Sequence, residues 1–255
     1  AVVDLDPGVD HARPVAIRFS DVWFAYDRRG WVLERCKFHV DDGEHVLVVG
    51  DSGAGKTSLL GLILRFNRPT RGTVSLGGVV LATVSDAWLR TQVAFVPQEP
   101  YVFSGTIADN VRFGRPAATD DEVMAALTEL GVTDELLASM GGLDRVVTSG
   151  GPELAAGERQ LLACARALLA DRPILLLDEA TSVLEPRLAG VVEGAFSTLR
   201  AGRTTVTVAH RVATRPDVDR IVVVADHHIV ESGTHDDLMA AGGRYAAWWN
   251  LSKPT

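Results

Sequence analysis

The chain has 255 residues, of which 47% are hydrophobic and 23% charged, so it carries enough apolar material for a sizeable core. Its 25 basic and 33 acidic side chains give a net charge of −8, which argues against nucleic acid as the main partner. The two cysteines, Cys36 and Cys164, lie in apolar runs and are expected to be buried free thiols, which fits a reducing compartment. No apolar stretch approaches the length that spans a bilayer.

The first part of the chain is predicted to form strands. Residues 17–26 alternate apolar and polar side chains, which is typical of a half-buried strand, and residues 32–40 indicate a second one. Residues 45–49, His-Val-Leu-Val-Val, form an apolar run that predicts a buried strand. Residues 73–81, with two glycines at their centre, predict a hairpin. These pieces indicate an antiparallel sheet beside a buried core strand.

Residues 50–57 read Gly-Asp-Ser-Gly-Ala-Gly-Lys-Thr and match the phosphate-binding pattern G-x-x-x-x-G-K-[ST] at every fixed position. This segment, called the phosphate loop below, lies between the predicted strand and an apolar run, 58–66, that predicts a helix. Its glycines let several backbone N–H groups point at one anion, and the helix N-terminus adds a partial positive charge. Lys56 can then reach the β- and γ-phosphates, and the Thr57 hydroxyl can ligate Mg²⁺.

The middle of the chain is predicted to be helical. Residues 120–130 and 134–140 have helical spacing, with acidic residues near their starts. Residues 157–169 predict a third helix, which ends before Asp171-Arg172-Pro173. The pattern therefore predicts a helical subdomain, about residues 105–170, inserted into the core.

The last third returns to strands. Residues 174–177, 204–208 and 220–224 are rich in Ile, Leu, Val and Thr and predict buried parallel strands, while 185–199 and 244–251 predict helices. The fold class predicted from these patterns is α/β. Its architecture is a P-loop NTPase core of mostly parallel sheet, with an antiparallel β subdomain and an inserted helical subdomain.

Two acids follow the first of these late strands directly. Because ligand sites in α/β sheets lie at the carboxyl ends of strands, Asp178 and Glu179 are candidates for the chemistry. Asp178 is placed to hold Mg²⁺ through its hydration shell. Glu179 is placed to orient and deprotonate an attacking water. The alternative, a strand that ends in solvated acids, loses weight beside an upstream phosphate loop.

In the order of its motifs, the chain resembles the nucleotide-binding domain of ATP-binding cassette (ABC) transporters over about residues 15–250. The matching residues are Tyr26, Gln98, the segment 154–160 (Leu-Ala-Ala-Gly-Glu-Arg-Gln), the segment 182–185 (Ser-Val-Leu-Glu) and His210. They stand where that family has its adenine platform, Q-loop, LSGGQ signature, D-loop and switch histidine, in that order.

The resemblance implies an ATPase that uses ATP and Mg²⁺, and whose ATP lies between two domains joined head to tail. A second ABC ATPase domain is therefore an implied partner. The implied nucleotide-binding residues are Tyr26, Gly50, Ser52, Gly53, Ala54, Gly55, Lys56, Thr57, Ser58, Gln98, Ala155 and Gly157. The implied catalytic residues are Lys56, Gln98, Glu179 and His210, and the implied magnesium ligands are Thr57, Gln98 and Asp178.

Residues 96–111 resemble the run that follows the Q-loop in exporters of this family. The resemblance implies that residues 98–110, with Phe103 among them, contact a membrane domain; a buried turn is the alternative. Residues 1–14 are then expected to be a linker from an upstream membrane domain. Residues 15–252 are expected to be the ABC ATPase domain, at the cytoplasmic face of the cell (inner) membrane.

The signature segment departs from the family pattern. Ala155 replaces its serine, Ala156 a glycine and Glu158 its glutamine, while Glu185 replaces the D-loop aspartate. Ala155 cannot donate the serine's hydrogen bond, and Glu158 adds negative charge near a nucleotide. We therefore expect one half of a heterodimeric exporter with one degenerate ATP site. A homodimeric exporter, a soluble ABC binding module and a cassette that binds ATP without hydrolysis are the alternatives.

Overall fold

The structure, a computed structural model, describes residues 17–27, 30–179, 184–209 and 217–252. They divide into two compact units. The first consists of the described residues up to 93 and from 203 onward, and the second of those between 94 and 202. The predicted linker over 1–14 lies outside the described residues, and the domain boundaries given above stay predictions.

The described residues form twelve strands and nine α-helices. The strands are β1 (Ile17–Phe24), β2 (Leu33–Val40), β3 (His45–Gly50), β4 (Arg71–Leu76), β5 (Val79–Val80), β6 (Val93–Val96), β7 (Gly105–Thr106), β8 (Val146–Val147), β9 (Ile174–Glu179), β10 (Thr204–Ala209), β11 (Arg220–Ala225) and β12 (His228–Gly233). The helices are α1 (Lys56–Ile63), α2 (Asp86–Gln92), α3 (Ile107–Arg112), α4 (Asp120–Glu129), α5 (Asp134–Ser139), α6 (Ala156–Ala170), α7 (Pro186–Arg200), α8 (His235–Ala241) and α9 (Arg244–Ser252).

The first unit contains the predicted antiparallel sheet, with strand order β2-β1-β4-β5. Along β2 the apolar side chains are buried and the others are half-buried or exposed, so one face packs and the other meets solvent. The rings of Phe19 and Phe38, on paired strands, meet edge to face at 5.6 Å between centroids. The predicted hairpin is the β4–β5 pair, in which Ser75 lies opposite Val80.

The same unit holds the strand that leads into the phosphate loop. Here the strand order is β12-β11-β3-β10, and β3 is parallel to both of its neighbours. All six residues of β10 are buried, as expected for a strand covered on both faces. Leu47, Val49, Ile221 and Val223 pack with the helix residue Leu238 in one apolar cluster. The predicted α/β class is confirmed.

An ion pair fixes the start of β3 against its neighbour β11. Arg220 at the start of β11 donates from Nε to Glu44 Oε1 (2.6 Å) and from Nη2 to Glu44 Oε2 (2.9 Å), just before β3. Burial by itself would raise the pKa of Glu44, but the hydrogen bonds from Arg220 and from the Asp41 N–H hold it below its ordinary value. The strand that carries the phosphate loop is thus anchored at its opposite end.

The second unit contains the helices α3 to α7, the neighbouring strands β6 and β9, and the antiparallel β7–β8 pair. One apolar cluster runs through it and includes Leu161, Leu162, Leu175 and Leu177. Capping boxes begin α3 at Thr106 and α4 at Thr119, where a hydroxyl and a carboxylate satisfy the first N–H groups. In the described ranges, no helix combines the length and apolar character needed to cross a membrane.

The two cysteines and the first helix were each the subject of a local prediction. Cys36 and Cys164 are both buried, and neither forms a disulfide, as predicted. The helix predicted over 58–66 instead begins at Lys56 and ends at Ile63. It ends early because Arg65 takes a left-handed φ of 57° and the N–H of Asn67 turns back to the carbonyl of Gly61 (3.1 Å).

Candidate functional site

The phosphate loop connects β3 to α1, as its pattern predicts. Gly55, the residue before α1, has a φ of 100°, and a Cβ there would lie only 3.0 Å from the carbonyl oxygen of Val32. A Cβ on Gly50, where β3 ends, would lie 2.2 Å from the carbonyl oxygen of Val224 on β11. Both positions therefore need glycine. The resulting tight turn is the kind in which successive N–H groups gather around an anion.

Lys56 occupies the centre of this turn. It is the first residue of α1 and is only 3% exposed. Its Nζ donates to the carbonyl oxygens of Gly50 (2.7 Å) and Asp51 (2.8 Å), so the ammonium holds the loop curled. No side chain among the described residues caps the N-terminus of α1. The partial positive charge of the helix and the ammonium thus lie together, and this arrangement can receive a phosphate chain.

Tyr26 lies beside the phosphate loop in the same unit. Its hydroxyl is 2.9 Å from Oγ of Ser58, which is buried in the first turn of α1. Phe24 supports the Tyr26 ring edge to face, with 4.8 Å between the centroids. The Tyr26 side chain is nevertheless 65% exposed. An aromatic face held at this place can stack on a nucleobase.

The acids and the Q-loop glutamine belong to the second unit. Asp178 is 5% exposed and follows Ile174–Leu177, all of which are buried in β9. Glu179 is the last residue of β9, and its side chain lies outside the described part of the structure. Gln98 follows β6 after one intervening residue and is exposed. His210, Ser182 and Val183 lie outside the described residues.

The oxygen donors on the predicted ligands suit magnesium. Mg²⁺ prefers carboxylate, hydroxyl and carbonyl oxygens, and in nucleotide sites it keeps several waters and the substrate phosphates as further ligands. Thr57 offers an exposed hydroxyl next to the buried Lys56, and Gln98 offers an exposed amide oxygen. Asp178 adds a carboxylate fixed by a buried strand. The chemistry of these side chains therefore fits Mg²⁺.

The signature segment forms the N-terminus of α6, and one of its own side chains bonds the backbone of the residue before that helix. Glu158 accepts a hydrogen bond from the backbone N–H of Ala155 at 2.7 Å (Oε2 to N). Gly157 packs against α7, since a Cβ there would come within 2.8 Å of the Leu188 side chain. A carboxylate thus lies at the start of α6.

The exporter-like run presents two exposed aromatic side chains, Tyr101 and Phe103, and the exposed Phe113 follows it after one intervening residue. The prediction that residues 98–110 contact a membrane domain stays a prediction, and it did not include Phe113 or Arg166. Arg166 lies on α6 and donates to the carbonyls of Tyr101 and Asn110. A lone arginine within the apolar run 161–169 was the signal, because a charge is placed in such a run only when it has partners there.

Comparison with known proteins shows which family the chain resembles. A family model described as ABC transporter matches residues 33–182, more than half of the chain. The chain is 42% identical over 231 residues to the uncharacterized ABC transporter ATP-binding protein YknV of Bacillus subtilis, covering 90% of this chain and 38% of YknV. It is also 42% identical over 249 residues to the multidrug efflux ATP-binding/permease protein of Mycobacterium bovis, covering 95% of this chain and 21% of that protein.

A solved structure of an ABC exporter also matches the chain. The structure of a bacterial Atm1-family ABC exporter with ATP bound matches with a TM-score of 0.88 at 36% identity, covering 98% of this chain and 44% of that chain. The chain spans only 21% to 38% of the length of the two curated relatives named above. The fold and the ATPase class predicted from the residues are confirmed. This chain belongs to the ABC transporter family, as an ATP-binding ATPase domain.

Proposed function

We propose that this chain binds and hydrolyses ATP as the ATPase domain of an ABC exporter, and so powers export of an unidentified substrate across a membrane. One observation carries the proposal: the buried Lys56 ammonium at the centre of the phosphate loop, bonded to Gly50 and Asp51. The exporter-like run 96–111 and the likeness to an exporter structure support the transport part. The assembly would then work at the cytoplasmic face of the cell (inner) membrane.

Binding of the nucleotide is assigned to the first unit. Tyr26 would stack on adenine, and Ser58 would hold its hydroxyl in place. Backbone N–H groups of residues 52–57, from Ser52, Gly53, Ala54, Gly55, Lys56 and Thr57, would cradle the phosphates, and Gly50 would let the loop begin its turn. The Lys56 ammonium would neutralise charge that develops on the γ-phosphoryl oxygens.

Hydrolysis is assigned to the magnesium ligands together with Glu179 and His210. Mg²⁺, when bound, neutralises phosphoryl oxygens and orients the phosphates. Thr57, Gln98 and Asp178 would hold it. Glu179 would accept a proton from the attacking water, and His210 would hydrogen-bond the γ-phosphate. Phosphoryl transfer needs such positioning and charge neutralisation more than covalent catalysis.

The proposal is tested first with the full-length protein in membrane vesicles. ATP and Mg²⁺ should give steady phosphate release, and removal of the metal with EDTA should stop it, because the phosphates then lack their counter-charge. Phosphate release is measured with a coupled colour assay. A protein that binds ATP but releases no phosphate with or without a co-expressed partner would instead be the non-hydrolysing cassette. A soluble protein found without any membrane domain would support the soluble ABC binding module.

We further propose a head-to-tail heterodimer in which this chain supplies a good phosphate loop and a poor signature. The contact between Glu158 and the Ala155 N–H supports this, because a partner's γ-phosphate would meet a carboxylate beside the N-terminus of α6. The signature residues Ala155 and Gly157 would then cap a slow site on the partner. Native mass spectrometry of the purified transporter should find two different ATPase chains, and a dimer of identical chains would select the homodimeric alternative.

The Glu158 contact leads to a prediction about that slow site. Replacing Glu158 with glutamine should tighten ATP binding at the partner's site about tenfold, since one like-charge repulsion is removed, worth about 1.4 kcal/mol. The measurement is the ATP concentration at which radiolabelled nucleotide becomes occluded in the assembled transporter. Glu135→Gln, an exposed glutamate on α5, is the matched control. Equal ATP concentrations for Glu158→Gln and the control would contradict the role given to Glu158.

A further inference from the structure

Two tryptophans and an arginine form a cluster beside β1, called the tryptophan clamp below. Trp23 lies on β1 between two buried residues, Trp31 lies just before β2, and Arg71 begins β4. The rings of Trp23 and Trp31 meet edge to face with their centroids 5.1 Å apart. The guanidinium carbon of Arg71 lies 5.7 Å from the centroid of Trp23 and 5.9 Å from that of Trp31. One cation thus contacts both rings of an aromatic pair, and each of these contacts is attractive.

The pairing of β1 with β4 fixes two members of the clamp relative to each other. Trp23 lies opposite Arg71, and the Thr70 N–H donates to the carbonyl of Trp23 at 2.8 Å. The register shifts just before this pair, where Asp21 has a left-handed φ of 49° and a Cβ on Gly72 would lie 2.3 Å from the Asp21 carbonyl oxygen. Trp23 and Arg71 therefore have positions that the two paired strands define.

The third member of the clamp belongs to the connection between β1 and β2, which also carries Tyr26. Backbone atoms close this connection at its base, where the Val32 N–H donates to the carbonyl of Phe24 at 2.7 Å. Trp31 is the residue next to Val32, so the ring contacts of the clamp lie beside that bond. The clamp therefore ties the connection that carries Tyr26 to β4, through a contact that the backbone alone does not make.

The Tyr26 ring depends on such support because it is largely exposed. Its own contacts are the ring of Phe24, edge to face, and the hydroxyl of Ser58. An exposed side chain loses conformational freedom when a ligand stacks on it, and this loss weakens binding unless the protein has already ordered the side chain. Phe24 and Ser58 hold the ring of Tyr26, while the clamp holds the backbone from which that ring projects.

We infer that Arg71 is a positioning residue, which joins Trp23 and Trp31 and so orders Tyr26 in advance for stacking on the nucleobase. The inference rests on the proposed function and adds three residues to it. It also makes the contribution of the clamp specific, because the clamp supports binding of the base and has no part in binding the phosphates.

The phosphate loop has support of its own. Lys56 holds it curled through bonds to two of its carbonyl oxygens. Its contact with the connection between β1 and β2 is made by backbone, since a Cβ on Gly55 would lie 3.0 Å from the carbonyl oxygen of Val32. A side-chain change at Arg71 removes neither feature. We therefore expect such a change to weaken binding of a nucleotide without weakening binding of a bare triphosphate.

The test uses the purified full-length protein on ice and two probes. The first is 8-azido-ATP, whose photolabel is read on this chain after gel separation, so that its half-saturating concentration reports the adenine site of this chain. The second is inorganic tripolyphosphate, which has the phosphates but no base. Its affinity is obtained from the concentration that displaces 8-azido-ATP. Both probes are supplied with Mg²⁺.

Arg71→Gln should raise the half-saturating concentration of 8-azido-ATP about fivefold, because the cation that joins the two rings is lost. The affinity for tripolyphosphate should stay within about twofold of wild type, which also shows that the variant is folded. Arg71→Lys keeps a cation beside the rings and should recover most of the affinity for 8-azido-ATP. Arg18→Gln, at an exposed arginine of β1, is the matched control and should label as wild type does.

Three results would overturn the inference. The first is equal labelling curves for Arg71→Gln and Arg18→Gln. The second is a loss of tripolyphosphate affinity by the same factor as that of 8-azido-ATP, because the clamp would then support the fold as a whole. The third is an equal loss with Arg71→Lys and Arg71→Gln, because the charge would then have no part in the effect.

The proposed function can fail separately from this inference. A protein whose labelling weakens with Arg71→Gln as expected, but which releases no phosphate from ATP, would overturn hydrolysis and keep the clamp. A protein that hydrolyses ATP, and whose labelling is the same with Arg71→Gln as with the control, would overturn the clamp and keep the ATPase.

Discussion

Replacing Lys56 with alanine is expected to weaken ATP binding about 100-fold or more. The Lys56 ammonium is buried in the phosphate loop and bonds two of its carbonyl oxygens. The variant loses the cation that would face the β- and γ-phosphates and the bonds that keep the loop curled. Charge-assisted hydrogen bonds are each worth about 1.5–3 kcal/mol, and a 100-fold change corresponds to about 2.7 kcal/mol. Titration calorimetry of the full-length protein with Mg·ATP measures it.

Two further variants separate loss of binding from loss of folding. Lys56→Met keeps the apolar stem of the side chain and removes only the charge, so it should lose affinity while its melting temperature stays closer to that of wild type. Lys37→Ala changes an exposed lysine of β2 in the same unit and should bind ATP normally. If both Lys56 variants fold and bind ATP within about twofold of wild type, the phosphate-loop assignment is wrong.

Most of the strands could be predicted from the sequence, because the burial of a strand determines its pattern of apolar and polar side chains. Alternation along β1 and β2 reflects sheets with one solvated face, while the apolar run of β11 and the Val- and Thr-rich β10 reflect strands covered on both faces. The phosphate loop was equally readable, since Gly50 and Gly55 are required by close approach and by a left-handed φ. The end of α1 at Ile63 could not be predicted from the sequence, because it depends on the turn at Arg65.

The side-chain contacts of the candidate site could be predicted only in part. Glu158 was recognised as a poor substitute for glutamine, but its bond to the Ala155 N–H depends on the rotamer that the helix start allows. The contacts of Arg166 join residues separated by 56 and 65 positions in the chain. No local sequence pattern predicts contacts between residues so far apart, because only tertiary packing brings those backbones together.

Replacing Glu179 with glutamine should lower kcat about 100- to 10,000-fold with little change in the Kd for ATP. Positioned proton transfer contributes about that factor, and glutamine keeps the size of the side chain but cannot accept the proton from water. The phosphate loop and Lys56, which are proposed to carry the binding energy, are unchanged. The measurement pairs phosphate release under saturating Mg·ATP with the Kd from titration. Glu129→Gln, an exposed glutamate on α4, is the control and should keep full turnover.

The residual rate of the Glu179→Gln assembly reports on the second nucleotide site. In a heterodimer the partner keeps its own phosphate loop and base, so what remains after Glu179→Gln is the turnover at the site that this chain's signature caps. We propose that the Glu158 carboxylate bonded to the Ala155 N–H slows that turnover, so adding Glu158→Gln to the Glu179→Gln background should raise it. In a homodimer both sites carry both changes, so the rate would stay low. Undiminished turnover with Glu179→Gln alone would show that the base lies elsewhere, because a slow site on the partner could not supply the full rate.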